Sequence, residues 1–200
     1  MSDPQHPWIA GPPASDEALV PEVQASKDLP RPTTPQPGVP APDSADRLPR
    51  RDVNRPAAVW WLGVHGGAGE SVLSHLLQGS RSAGHAWPII NDSSRANVVL
   101  VARSNADGLQ AAQRAATEWA SGSLPTINLL GLVIVADAPG KLPKPLRDLA
   151  QVVSGGVPNV WQVPWVEAWR LGEPVSFDSS PKDVRALSAA VSALVGSTTA

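Results

Sequence analysis

Six consecutive residues, Gly66, Gly67, Ala68, Gly69, Glu70 and Ser71, are the part of this 200-residue chain best suited to chemistry on an anion. They follow an apolar run, VWWLGV at 59–64, and lead into a segment with helical spacing. A strand that ends in a glycine-rich turn and opens directly into a helix brings the N–H groups of both to one phosphate-sized point. Glu70 stands where such a cradle needs a cation, while Ser71 offers a hydroxyl suited to magnesium. Exchanging a lysine for a glutamate changes the local charge by two units, and each unit is worth about 4 kcal/mol at 4 Å from a phosphate with an effective dielectric of 20. Even with half of that screened, nucleotide affinity falls by orders of magnitude, and phosphoryl transfer, which depends on positioned cations, suffers at least as much. A carboxylate in the first helical turn can instead satisfy free N–H groups, an internal substitute for phosphate.

The remaining candidates are scattered. Glu70, Ser71 and Asp92 are oxygen donors for a magnesium ion, although no motif joins them. His65 at the strand end reads as a structural histidine or, when protonated, as a donor to an anion. Asp137 reads as a turn residue in DAPG, and Lys141, Lys144 and Arg147 as a solvated helix start or an anion site. Trp161, Trp165 and Trp169 recur every fourth residue, a spacing that suits partial core burial or an aromatic platform. The chain has no cysteine, which removes disulfides, thiolate metal sites and cysteine nucleophiles, and its four histidines lie apart. Net charge is only −2, so the overall balance does not favour a polyanion.

These residues need a scaffold, and the chain supplies one from Ala57 onward. Thirteen of the 22 prolines precede that point, so residues 1–56 read as a disordered Pro-rich tail, with Trp8 as a possible partner anchor. Arg47, Arg50, Arg51 and Arg55 close the tail as a solvated linker or a docking site for a nucleic acid or acidic partner. Strands are expected at 57–64, 86–90, 97–103, 127–136 and 159–164, the second pushed towards an edge by Pro88. Helices follow the glycine turn to about Gly79, with Val72, Leu73, Leu76 and Leu77 inward, and run from a Ser104/Asp107 capping box to about Ser121, with Leu109, Ala112, Ala116 and Trp119 on one face. A third helix holds Pro145 in its first turn and points Leu146, Leu149, Val152 and Val153 inward; a fourth is capped by Ser180, Pro181 and Asp183 and buries Val184, Leu187, Val191 and Leu194. Strict alternation predicts an α/β three-layer sandwich on a mostly parallel sheet of four or five strands, spanning 57–196. No signal peptide or membrane span is expected, which makes a soluble cytoplasmic protein the default.

The segment His65-Gly66-Gly67-Ala68-Gly69-Glu70-Ser71 resembles the deviant Walker A loop of the ParA/MinD family of P-loop ATPases, Lys-Gly-Gly-x-Gly-Lys followed by Ser or Thr. NVVLVARSNADGLQAAQRAATEW, LLGLVIVAD and NVWQVPWVEAWRLGEPV are similar to the family's later strands and helices, in the same order. By this resemblance Gly66, Gly67, Gly69 and Ser71 fit the motif, whereas the signature lysine falls on His65, the general P-loop lysine on Glu70 and the first glycine on Val64. Aligning GHAWPIIND with the second strand places Asn91 at the switch aspartate, and a third strand with its Walker B aspartate is missing before Ala96. Asp137 falls where relatives place a base-contacting residue. The composition suits a GC-rich bacterial source. The resemblance implies a degenerate P-loop NTPase-like fold and a non-hydrolysing pseudo-ATPase that acts as a protein-binding scaffold or regulator, paired with a family ATPase or with itself as a homodimer. It leaves two alternatives: a switch that binds ATP or GTP with magnesium and turns over little or none, and a DNA-associated partitioning or plasmid-maintenance accessory protein.

Overall fold

Three apolar runs, at 59–64, 96–102 and 127–135, are buried along almost their whole length and make the centre of a sheet covered on both faces. The computed structural model describes residues 30–198 except 56, 92, 93 and 174. Its elements are β1 (Arg50–Val53), β2 (Val59–Gly63), α1 (Glu70–Ser74), β3 (Ser80–Gly84), β4 (Trp87–Ile90), β5 (Ala96–Arg103), α2 (Ala106–Ala120), β6 (Ile127–Val135), α3 (Lys144–Ser154), β7 (Val160–Val163), α4 (Glu167–Arg170) and α5 (Lys182–Thr198). Five strands form one parallel sheet in the order β3-β2-β5-β6-β7. A separate parallel pair joins β1 to β4.

Alternate side chains of the central strands feed two cores. Trp60, Leu62, Val98, Leu100, Leu132 and Ile134 share one with Leu109, Ala112 and Trp119 of α2 and Ala150 and Val153 of α3. Trp61, Val99, Val101, Val133 and Val135 share the other with Leu73 of α1 and Val184, Leu187 and Val191 of α5. Each fully buried aliphatic or aromatic side chain contributes about 1.5–3 kcal/mol, so these two layers, and not the short glycine turn, hold the sheet together. The expected three-layer α/β sandwich is therefore the architecture. No helix among the described residues is long and apolar enough to cross a membrane.

Several expectations need correction. The first 29 residues of the expected tail, Trp8 included, lie outside the described residues, but the stretch from Pro30 to Arg55 is not a tail. The Gln36 N–H donates to the Ala120 carbonyl at 2.8 Å, the Leu48 N–H to the Glu118 carboxylate at 3.3 Å, and β1 pairs with β4. Order here comes from hydrogen bonds to distant elements and from partial burial of Val39, Leu48 and Val53, none of which a proline-rich composition reveals. The strand expected at 86–90 forms as β4 but lies outside the main sheet, whose edge is instead β3, of sequence SRSAG. The helix after the glycines stops at Ser74 instead of reaching Gly79. Val152 is 66% exposed rather than inward, because α3 turns the neighbouring Val153 into the core.

Candidate functional site

The glycine-rich turn leaves the carboxyl end of β2, which has β3 on one side and β5 on the other. Consecutive connections depart to opposite sides there, and in open α/β sheets such a point opens a crevice where ligands bind. Gly67 and Gly69 have φ of 74° and 108°, backbone that side-chain-bearing residues rarely adopt, while Ala68 is fully buried in the second core. Ser71 is exposed, and its carbonyl accepts from the Ser74 hydroxyl at 2.7 Å.

Glu70 turns back into this turn. Its Oε2 accepts the Gly69 N–H at 3.1 Å, and the side chain is buried, at 7% exposure. Gly63 makes the room, since a Cβ there would lie 2.6 Å from Oε2 and 3.0 Å from His85 Nδ1. His85 closes the group. Its Nδ1 donates to the Gly63 carbonyl at 2.9 Å, and its Nε2 lies 4.0 Å from Glu70 Oε1. A phosphate placed at the Gly69 N–H would compete with this carboxylate for the donor and be repelled by it.

His65 has a structural place. The Arg103 N–H donates to its Nε2 at 3.0 Å, so the ring proton sits on Nδ1, which reaches the Gly66 carbonyl at 2.9 Å. Arg103 is the residue of this site that the sequence motif does not announce. Its Nε donates to the Gly67 carbonyl at 3.0 Å and its Nη1 to the Ala136 carbonyl at 2.9 Å, which ties the turn to the ends of β5 and β6. Burial pushes its guanidinium below the ordinary arginine range, and the nearby Asp137 carboxylate opposes that shift. Only its position at a strand end, facing a glycine-rich turn, signalled it.

The start of α2 presses against this linkage. Asn105, not the Ser104/Asp107 box, supplies the cap, its Oδ1 accepting the Gly108 N–H at 2.8 Å; Ser104 Oγ instead accepts the Asp137 N–H at 3.0 Å. A Cβ on Gly108 would lie 2.4 Å from the Arg103 carbonyl and 2.8 Å from His65 Nε2. Gly108→Ala is therefore expected to cost roughly 2 kcal/mol, on the scale of overpacking, with loss of the His65–Arg103 bond. Urea unfolding gives the cost, and imidazole resonances in NMR report the bond; unchanged resonances would contradict this account.

Beside the turn, the carboxyl ends of β5, β6 and β7 open into a cleft of about 520 Å³ that includes Asn105, Asp137, Lys141, Gln162 and Asp183. Lys144 does not join Lys141 there as an anion site, since it pairs with Asp148 at 2.8 Å. Asn91 follows β4 in the two-stranded sheet, where its Nδ2 donates to Asn54 Oδ1, and so does not end the strand next to β2. Asp92 lies outside the described residues, and these contain no cluster of three potential His or carboxylate metal ligands. Trp161, Trp165 and Trp169 are half-buried.

Fold and site define an α/β protein with a five-stranded parallel sheet and a glycine-rich turn closed by its own carboxylate. Residues 57–187 match the model of a family described as Family of unknown function (DUF6668), and the chain belongs to that family. No curated protein and no solved structure matches the chain.

Proposed function

We propose that this chain is a non-hydrolysing, ParA/MinD-like pseudo-ATPase that acts as a scaffold or regulator by binding protein partners. One observation carries the reading: Glu70 Oε2 takes the Gly69 N–H at 3.1 Å, in space that Gly63 leaves free. The turn then keeps its shape with no ligand, and the frame built around it remains available for contacts with another protein. The partner proposed is an active ATPase of the same kind or a second copy of this chain. In calorimetry the full-length protein should give no heat with millimolar ATP or GTP and magnesium, whereas Glu70→Lys should raise affinity by roughly a thousandfold, half of the two-charge Coulomb term. Turnover of ATP by the unmodified protein, abolished in Gly69→Val, would overturn the proposal.

A second reading, a nucleotide-binding switch with little or no turnover, draws on the cleft near Asp137, whose volume suits a small molecule. It requires a thermal shift with ATP or GTP that disappears in Ser71→Ala. Binding of DNA by the arginine cluster is the weakest of the three. The Arg47, Arg50 and Arg51 side chains already donate to the carbonyls of Pro42, Ser123 and Ala83. Salt-sensitive retention on DNA would revive it.

A further inference from the structure

We propose that a cavity beside the glycine-rich turn binds the oxyanion of a small organic ligand between the guanidinium groups of Arg103 and Arg170. The cavity encloses about 170 Å³ where the start of α1 meets the ends of β5 and β6 and the segment from Pro164 to Arg170. That is well below the 300–1,000 Å³ or so of sites for drug-sized ligands, so it suits a charged head and a body of about one ring. The proposal goes beyond the scaffold role and does not depend on it, since neither Glu70 nor Ser71 is used.

Two cations face this space without a partner of opposite charge in contact. Among the described residues, no carboxylate oxygen comes within 4.0 Å of either guanidinium. Arg103 is held in place by its bonds to the Gly67 and Ala136 carbonyls, which leave its other N–H groups free. The Trp165 Nε1–H donates to Glu167, which orients the ring, and the Arg170 guanidinium lies 5.9 Å from the ring centre, within reach of its face. Burial lowers the Arg103 pKa, Asp137 raises it, the charge on Arg170 lowers it further, and the Glu70 carboxylate raises it in turn. An anion seated between the two cations would relieve their repulsion and form charge-assisted hydrogen bonds to fixed donors.

The remaining walls select the body of the ligand. Val72, Val135 and Trp169 present apolar surface to the same space. An inorganic ion would leave this surface wet, whereas an aromatic or short alkyl group attached to the oxyanion would cover it. Phosphate monoester and carboxylate share the required head, and the two must be told apart by experiment.

The test uses the full-length protein at low ionic strength, where surface charges are least screened. Phenyl phosphate, benzoate and inorganic phosphate are titrated in parallel by calorimetry and by tryptophan fluorescence. One of the two organic anions should bind with a sub-millimolar Kd and change the emission, and the tighter one identifies the head. Arg170→Gln, at an exposed position, should weaken that binding about tenfold or more. Arg103→Gln is unsuitable alone because it also releases the turn. The proposal is overturned if neither organic anion binds at millimolar concentration, if Arg170→Gln binds as the parent does, or if inorganic phosphate binds as tightly as phenyl phosphate.

Discussion

Gly131→Ala should destabilise the protein by more than about 3 kcal/mol, near the upper end for a single added methyl group. Register shifts at this point, where Val98 pairs with Leu129 and Val99 with Gly131, leaving Leu130 as an extra residue in β6. The loop that enters β7 crosses directly over the bulge. A Cβ at position 131 would meet the Asn159 carbonyl oxygen at 2.4 Å and the Trp161 ring at 2.6 Å. Neither can withdraw freely. The Asn159 carbonyl accepts the Leu132 N–H at 2.8 Å, and the Asn159 side chain donates to the Leu130 carbonyl at 2.7 Å. The added methyl must push β7 off β6 or distort β6 itself. Gly66→Ala is the control: a Cβ there meets nothing within 4 Å, and the change should stay within about 0.5 kcal/mol. Urea unfolding of both variants checks the pair, and equal midpoints would refute the crossing as the cause.

Glu118→Ala should cost on the order of 3 kcal/mol, through a cavity and two stranded donors. Glu118 is 1% exposed, and its Oε2 accepts from Trp87 Nε1 at 2.9 Å and from the Leu48 backbone at 3.3 Å. Removing it leaves a buried indole N–H unsatisfied. Its other oxygen, Oε1, is buried without a partner among the described residues, so the full carboxylate is not what the site requires. Glu118→Gln keeps one acceptor for both donors and removes a charge that is costly to desolvate, but sets an amide NH2 where Oε1 has no partner, so it should cost clearly less than Ala without being stabilising. If Gln were as damaging as Ala, the charge itself would be essential and this account would fail. Chemical denaturation monitored by tryptophan emission separates the outcomes, and limited proteolysis should cut the Glu118→Ala variant first near Leu48.

What the sequence reveals follows from where each element draws its stability. Strands β5 and β6 carry their own apolar runs, and α2 carries Leu109, Ala112, Ala116 and Trp119 on one face, so all three are legible without coordinates. Strands β1 and β3 read RRDV and SRSAG; their order comes from pairing with β4 and β2, and their composition does not record it. The same distinction holds at the site. The glycine turn and Glu70 are adjacent in sequence and visible as a motif. The His65–Arg103 bond joins residues 38 apart, and His85 reaches Gly63 across 22, links that exist only once the sheet is assembled. Val152 faces solvent although it lies on the apolar stripe, because helical spacing fixes which residues share a stripe but leaves open which edge of that stripe meets the core.

The pairing of β1 with β4 bears on where the autonomous folding unit begins. The matched family span starts at residue 57, after β1, and ends at 187, before Val191 of α5 reaches the core. A fragment cut to those limits would leave the β4 edge open and Trp87 without its cover, an aggregation-prone combination. Expression boundaries should therefore be set from about residue 31 through α5, and a shorter fragment that precipitated would be reporting its ends rather than an intrinsically unstable fold.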